Sequence, residues 1–336
     1  MAKEPITILA LGREVATLES RLLQQLQRGG EVMVLGRTSD AVTAVRMCRD
    51  RRPRAVLVFV ETSVQVQLVS TLLGSVGVPV VALTRTTTLG VEAMAAGAAE
   101  TLPLESDAGR VSVALRLMAD LQTVTRTLPA TRPTPQLESE PTTKPLVLVG
   151  TSTGGPPALV QLLAVLGSDF TPPVVIVQHM PDDYGETFTQ WLAAQSPLPV
   201  QLARPGIFPQ PSQVYIAPSG ANTSLGHGGV FLGRPRSTTG PCPSVDVLFE
   251  SAARLQGFAL CGVVMTGMGS DGARGLLAMR QAGGFTIVQD RASCVVYGMP
   301  AEALKLGAAE FALSPPSLGE QLRLWAKATH QATRHP

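Results

Sequence analysis

Apolar and polar positions alternate in blocks over the first 125 residues of the chain. Short apolar runs bounded by polar residues are typical of buried strands, whereas apolar positions three or four residues apart indicate helices. The predicted strands are residues 6–11, 32–35, 55–60, 78–83 and 100–102. The predicted helices are residues 14–27, 40–48, 64–73, 91–96 and 111–121. Five strand–helix repeats predict an α/β domain with a doubly wound parallel sheet.

The same alternation resumes at residue 145 and continues almost to the end of the chain. Strands are predicted at residues 146–149, 174–177, 214–216, 262–265 and 286–288. Helices are predicted at residues 156–166, 186–194, 245–253, 273–281 and 318–327. This pattern indicates a second α/β domain with a mainly parallel, doubly wound sheet, whose ligands should bind at the carboxyl ends of the strands.

Between the two patterns lies a segment without any hydrophobic period, RTLPATRPTPQLESEPTTK, at residues 126–144. Scattered prolines, threonines and charges of this kind are typical of an extended linker. We therefore expect a first domain at residues 1–125, a linker at 126–144 and a second domain at 145–336.

Charge and composition exclude several classes of partner. The net charge of +2 over 336 residues gives no basic field for nucleic acid or an anionic membrane. No apolar run reaches the roughly 20 residues of a spanning helix, and the N-terminal segment is too short and polar for a signal peptide. We expect a cytoplasmic protein without membrane insertion. The four cysteines lack zinc-ligand spacing, so no metal site is expected.

The turn GTSTGG, residues 150–155, lies between a predicted strand and a predicted helix. Such a turn either cradles a phosphate or presents a nucleophilic serine. A dinucleotide fingerprint has glycine where this turn has Ser152, and a Walker loop has a lysine that is missing here. The letters fit G-x-S-x-G, the strand-to-helix turn that exposes a serine hydroxyl.

A nucleophilic serine needs a base to accept its proton. His179 directly follows the predicted strand VVIV, at the same sheet edge as Ser152, and is the strongest candidate among four histidines. The other three lie in a turn predicted to be exposed or in the polar C-terminal tail, at His227, His330 and His335.

The base in turn needs a carboxylate that orients it. Asp271 and Asp290 each follow a predicted strand, and the pattern of residues alone leaves both open. Asp246, in PSVDVLF, is predicted to be a helix cap or a structural acid. Asp182 and Asp183, beside His179 in sequence, are expected to face solvent.

Six segments of the second domain together resemble the chemotaxis protein-glutamate methylesterase family, CheB. They are GTSTGGPPAL, VVIVQHMP, VYIAPSG, PSVDVLFESAA, VVMTGMGSDGARGLLAM and QDRASCVVYGMPAEA. The resemblance implies a serine nucleophile at Ser152, a histidine base at His179 and an orienting aspartate at Asp271. It also implies that Thr153 lines the site and that backbone near His179 and Met268 holds the oxyanion.

The resemblance implies hydrolysis of γ-glutamyl methyl esters on a methyl-accepting chemotaxis receptor, without cofactor or metal. It also implies deamidation of receptor glutamines by the same route, and a chemotaxis histidine kinase as a second partner. A catalytically silent adaptor that binds receptor or kinase is the alternative to an enzyme.

The first domain occupies the place of the family's flavodoxin-type receiver domain, but its phosphorylation chemistry is missing. Gly12 and Arg13 stand where an acidic pair would bind magnesium, and Phe59 stands at the phosphoacceptor position. Leu104 replaces the lysine after the fifth strand, whereas Thr84 keeps the switch-threonine position. We expect a pseudo-receiver that is not controlled by aspartyl phosphorylation.

Overall fold

A computed structural model describes residues 5–12, 17–121, 144–229, 231–234 and 240–332. The chain divides into two units, Met1–Thr127 and Leu128–Pro336. Most of the predicted linker lies outside the described residues, as do Arg13 and His335. The linker and the exact domain bounds therefore stay predictions.

The first unit contains five strands and five helices in alternation. The strands are β1 (Ile6–Leu11), β2 (Val32–Thr38), β3 (Ala55–Val60), β4 (Val80–Thr84) and β5 (Glu100–Pro103). The helices are α1 (Thr17–Arg28), α2 (Ala41–Arg51), α3 (Ser63–Val76), α4 (Thr87–Ala95) and α5 (Ala108–Leu121).

The five strands form one parallel sheet in the order β2-β1-β3-β4-β5. This is the flavodoxin-like order, in which the chain changes direction between β1 and β3. All six residues of β3, AVLVFV, are buried, as expected for a central strand covered on both faces. The prediction of a doubly wound parallel sheet is confirmed for this unit.

The second unit is larger. Its strands are β6 (Lys144–Thr151), β7 (Val174–Gln178), β8 (Val200–Leu202), β9 (Val214–Ile216), β10 (Asn222–Leu225), β11 (Phe231–Arg234), β12 (Phe258–Val264), β13 (Phe285–Gln289) and β14 (Phe311–Leu313). Its helices are α6 (Gly155–Leu166), α7 (Gly185–Gln195), α8 (Val245–Ala252), α9 (Ala273–Gln281), α10 (Met299–Lys305) and α11 (Pro315–Ala332).

Seven of these strands form a parallel sheet in the order β14-β13-β12-β6-β7-β9-β8. Strands β10 and β11 pair separately as an antiparallel hairpin. The prediction of a second α/β unit with a mainly parallel sheet is confirmed. The sequence pattern missed β8, β10, β11, β14 and α10, each of which has seven residues or fewer.

Some predicted bounds were wrong for identifiable reasons. The strand predicted from residue 78 begins at Val80, since Pro79 has no N–H for a sheet ladder. The helix predicted from residue 91 begins at Thr87, because the Thr86 hydroxyl accepts the N–H of Leu89 and caps it. His330 lies within α11 rather than in a tail.

None of the described helices is both long enough and apolar enough to cross a lipid bilayer.

Candidate active site

The neighbouring strands β6 and β7 end side by side and present two polar residues at one edge of the second sheet. Thr151 and Gln178, the last residues of these strands, are register partners. Ser152 and His179 follow directly, and the N–H of His179 donates to the carbonyl of Thr151 at 2.9 Å. Parallel pairing thus brings together two residues that are distant in sequence.

The turn that carries Ser152 is held by backbone hydrogen bonds on both sides. The Ser152 N–H donates to the Thr266 carbonyl at 2.9 Å, and the Gly155 N–H donates to the Ser152 carbonyl at 2.9 Å. Gly154 has φ +78°, a left-handed conformation that favours glycine. The chain can therefore reverse sharply from β6 into α6 and leave the serine at the tip.

The start of α6 is poorly suited to bind a phosphate. An anion site at a helix N-terminus needs N–H groups that are free to donate. The first three residues of α6 are Gly155, whose N–H is already used by Ser152, and Pro156 and Pro157, which have none. The geometry therefore favours a turn that presents a nucleophilic serine over a turn that binds a phosphate.

The imidazole of His179 forms a hydrogen bond with a carboxylate. Its Nε2 lies 2.8 Å from Oδ2 of Asp271, and the two side chains are 15% and 9% exposed. With Nε2 engaged by the acid, Nδ1 is the ring nitrogen left to accept a proton. Burial of this degree keeps solvent from competing with the pair.

The Asp271 carboxylate sits on the N-terminus of α8. It accepts the N–H of Val245 at 2.7 Å, the N–H of Asp246 at 3.0 Å and the hydroxyl of Ser244 at 2.8 Å. Burial raises the pKa of Asp271, but the His179 contact and the N–H groups of Asp246 and Val245 outweigh it and lower the pKa below its ordinary value. The group is therefore ionised at neutral pH.

Helix α8 reaches this place because Gly150 has no side chain. A Cβ there would lie 2.2 Å from Cγ1 of Val245, so only glycine allows the helix start to pack against the end of β6.

A profile of the CheB methylesterase family matches residues 147–322. A protein from Anaeromyxobacter dehalogenans (strain 2CP-C), named protein-glutamate methylesterase/protein-glutamine glutaminase 3, is 32% identical over 94% of this chain and 97% of its own length. The chain belongs to the CheB methylesterase family.

Two further proteins extend this likeness. A CheB family member of Pseudomonas aeruginosa, named protein-glutamate methylesterase/protein-glutamine glutaminase 2, is 35% identical over 91% of this chain and 93% of its own. The crystal structure of the Thermotoga maritima CheB methylesterase catalytic domain is 33% identical, with a TM-score of 0.51. It covers 54% of this chain and 97% of that domain.

Buried polar residues at or just beyond the carboxyl ends of four adjacent strands, β13, β12, β6 and β7, support the serine turn. None of them was a site residue predicted from the sequence. Gln178 Nε2 donates to the carbonyls of Ser152 and His179 at 2.9 and 2.8 Å. Thr266 Oγ1 donates to the Thr153 carbonyl at 2.8 Å, and Thr151 Oγ1 donates to the Thr266 carbonyl at 2.9 Å.

The fourth of these residues, Gln289, accepts the N–H of Thr266 at 2.8 Å and donates to the Ser293 carbonyl at 2.9 Å. A polar residue directly after an apolar run, as in VVIVQ, VVMT and FTIVQ, is the sequence signal that could have identified these buried polar residues.

The rival acids do not contact His179. Asp290 accepts the N–H and hydroxyl of Ser293, three residues away, and thereby caps its own turn. Asp182 and Asp183 are exposed, as expected. Asp246 accepts backbone N–H groups at the start of α9, in agreement with the expectation of a structural acid.

The remaining groups that could act as nucleophile or base are the thiol of Cys294, which hydrogen-bonds Thr266 beside the serine turn, and the histidines His227 and His330. Burial raises the pKa of Cys294, although a Thr266 hydrogen bond opposes it, so the thiol stays protonated at neutral pH. His227 and His330 are exposed and form no hydrogen bond with Asp271 in the described part of the chain.

The predicted phosphoacceptor position in the first unit holds a buried phenylalanine. Phe59 is 1% exposed near the end of β3, and Thr84 and Leu104 are buried beside the same sheet edge. A cavity of about 360 Å³ lies here, and the described residues that line it, Phe59 and Leu11 among them, carry no charge. No group of three metal-ligating His, Cys, Asp or Glu side chains occurs among the described residues.

Proposed function

We propose that this protein hydrolyses γ-glutamyl methyl esters on a methyl-accepting chemotaxis receptor, with Ser152 as nucleophile, His179 as base and Asp271 as the orienting acid. The observation that carries the proposal is the 2.8 Å contact between His179 and Asp271, at the sheet edge where the Ser152 turn is fixed. The names of the homologues support the same reaction.

In the first step, Ser152 Oγ attacks the ester carbonyl carbon while His179 Nδ1 takes the hydroxyl proton. The Asp271 carboxylate stabilises the imidazolium that forms and holds the ring in place. When the tetrahedral intermediate collapses, the C–OCH₃ bond breaks and the imidazolium returns the proton to the leaving methoxide. Methanol departs, and the receptor glutamyl group remains bonded to Ser152.

In the second step, water attacks the acyl group, again with His179 as base. The bond between the acyl carbon and Ser152 Oγ then breaks, the imidazolium returns its proton to Oγ, and the glutamate carboxylate is released. Oxyanion stabilisation requires N–H groups without another partner. Among the described residues, the N–H groups of Thr153 and Met268 donate to no protein acceptor, whereas the N–H of His179 is used by Thr151. We therefore assign the oxyanion site to Thr153 and Met268.

Deamidation of receptor glutamines is a second candidate reaction. The same attack on a carboxamide would release ammonia instead of methanol, and no residue would change its role. The relatives from Anaeromyxobacter and Pseudomonas carry protein-glutamine glutaminase in their names, which favours this extension.

The test is methanol release from a methylated receptor by the wild type and by Ser152→Ala. The wild type should release methanol, and the variant should lose at least ~10³-fold of the rate while staying folded by circular dichroism. Ser75→Ala, at an exposed serine of α3, is the matched control and should keep full activity. Absence of release by the wild type would instead support the silent adaptor.

We further infer that the first unit is a pseudo-receiver. In place of a magnesium site, its sheet edge has the buried Phe59 and the uncharged cavity lining. Two nearby carboxylates, Glu19 and Glu61, form ion pairs with Arg37 and Arg85. Magnesium prefers carboxylate oxygens that are not neutralised in this way.

The pseudo-receiver is tested by incubating the full chain with a phosphorylated chemotaxis histidine kinase and Mg²⁺. We expect no acid-stable or hydroxylamine-sensitive phosphate on the protein and no change in esterase rate. Stoichiometric phosphoryl transfer to the first unit would contradict the inference. The chemotaxis histidine kinase, the second predicted partner, would then bind the protein without transferring phosphate to it.

Since the proposed substrate is a receptor signalling region, we place the protein in the cytoplasm.

A further inference from the structure

In the second unit, aspartates at the starts of two helices each accept hydrogen bonds from the N-terminus of the other helix. Asp271, just before α9, accepts the N–H groups of Val245 and Asp246 at the start of α8. Asp246, in the first turn of α8, accepts the N–H of Gly272 at 2.9 Å and that of Gly275 at 2.8 Å, at the start of α9. Each helix start thus holds the acid supplied by the other, and one of these acids contacts His179.

We propose that Asp246 is a positioning residue for the reaction, which acts through the turn that carries Asp271. Asp246 contacts neither His179 nor Ser152 in the structure. Its Oδ1 instead fixes the N–H of Gly272, the residue directly after Asp271. This proposal rests on the proposed function, since it assigns Asp246 to the same site.

The packing around this turn leaves little room for another arrangement. A Cβ on Gly275 would lie 2.6 Å from Cβ of Phe249 and 3.0 Å from Cα of Asp246, so the two helices touch through glycine. Asp246 is 6% exposed, and an unsatisfied N–H at Gly272 or Gly275 would be buried. Without the Asp246 carboxylate, the turn must move to satisfy those groups, and Asp271 moves with it.

The contact of Asp246 with Arg274 contributes little to this arrangement. Arg274 Nε lies 3.1 Å from Oδ2 of Asp246, but its side chain is 76% exposed. Solvent screens exposed ion pairs of this kind. The proposed role therefore depends on the two backbone N–H groups and not on the ion pair, which provides a matched control.

The experiment compares Asp246→Ala, Asp246→Asn and Arg274→Gln in the full chain. Methanol release gives kcat and KM, and ¹H–¹⁵N NMR reports the Nε2–H proton of His179 that faces Asp271. For Asp246→Ala we expect kcat to fall about 10- to 100-fold, as for other partners that orient a histidine through a second residue. KM should change less than twofold, and the Nε2–H resonance should shift or broaden.

The conservative variant separates positioning from folding. Asp246→Asn keeps an amide oxygen that can accept the N–H groups of Gly272 and Gly275, and should restore most of the rate and the Nε2–H resonance. Arg274→Gln should match the wild type. An unchanged kcat in Asp246→Ala, or a loss that follows only the unfolded fraction while the resonance is unchanged, would overturn the proposal.

The NMR readout also distinguishes this proposal from the proposed function. If the wild type releases no methanol, the esterase proposal fails, but the His179 resonance still decides whether Asp246 positions Asp271.

Discussion

At the scale of the residue, Asp271 differs from the other described acids of the second unit in its hydrogen-bond partners. It accepts hydrogen bonds from Ser244, Val245 and Asp246 and contacts His179. The pattern of residues alone could not separate it from Asp290, because both follow apolar strands and lie in polar turns, and only the resemblance to CheB implied Asp271. The choice depends on α8, which is adjacent to Asp271 only in the folded chain.

Asp271→Asn should lower kcat for methanol release at pH 7, by up to ~10⁴-fold as in comparable serine triads, while KM stays similar. The physical reason is that a neutral amide no longer stabilises the imidazolium. Asp290→Asn is the control and should keep the wild-type rate, since the carboxylate of Asp290 accepts hydrogen bonds from Ser293 in its own turn. Equal losses in the two variants would contradict the assignment.

At the scale of the element, the ends of four strands and the glycines between them determine where Ser152 lies. Long apolar strands and their order along the chain were visible in the sequence. The short strands β8, β10, β11 and β14 were not, because three or four residues give no recognisable period. The close approach of the loop after β12 to Ser152 was also hidden, since it depends on parallel pairing of β12 with β6.

Gly267→Ala should impair the site through this close approach. An added Cβ would lie 2.7 Å from Cβ of Ser152 and 2.4 Å from Sδ of Met299, so the serine turn or the loop must move. We expect kcat to fall at least ~10-fold with a lowered Tm, because overpacking a dense core commonly costs about 1–3 kcal/mol. Gly29→Ala, where a Cβ meets only ordinary contacts, should leave kcat unchanged, and wild-type turnover in Gly267→Ala would refute the argument.

Strand β5 of the first unit contains a carboxyl group that makes stability depend on pH. Burial raises the pKa of Glu100 to about 7, although the Thr101 N–H and Arg110 oppose this. An acid with a raised folded pKa stabilises the fold below its unfolded pKa, and this contribution is lost as pH rises through the folded value. The first unit should therefore lose stability between about pH 4.5 and pH 7.

Glu100→Gln should remove that dependence, because the amide stays neutral throughout. Calorimetric unfolding of the full chain should show the variant gaining Tm over the wild type at pH 8 but not at pH 4.5. Each pKa unit corresponds to about 1.4 kcal/mol, so a gain of a few degrees is expected. The same Tm difference at both pH values would count against a partly buried, protonated Glu100.

At the scale of the whole molecule, the two α/β units and their parallel sheets followed from the hydrophobic pattern. The strand orders did not, because periodicity identifies elements and not their neighbours. The six segments that resemble CheB implied that Ser152, His179 and Asp271 share one site. The reciprocal hydrogen bonds between α8 and α9 could not be predicted from sequence patterns, because the two helix starts meet only in the folded chain.

Trapping the covalent intermediate would show most directly whether Ser152 is the nucleophile. Full-length protein and methylated receptor are mixed, quenched in acid within one turnover and analysed by peptide mass spectrometry. We expect a receptor glutamyl group esterified to Ser152, present with the wild type and absent with Ser152→Ala. A burst of methanol equal to the enzyme concentration without that adduct, or an acyl group on another residue, would contradict the role of Ser152 as nucleophile.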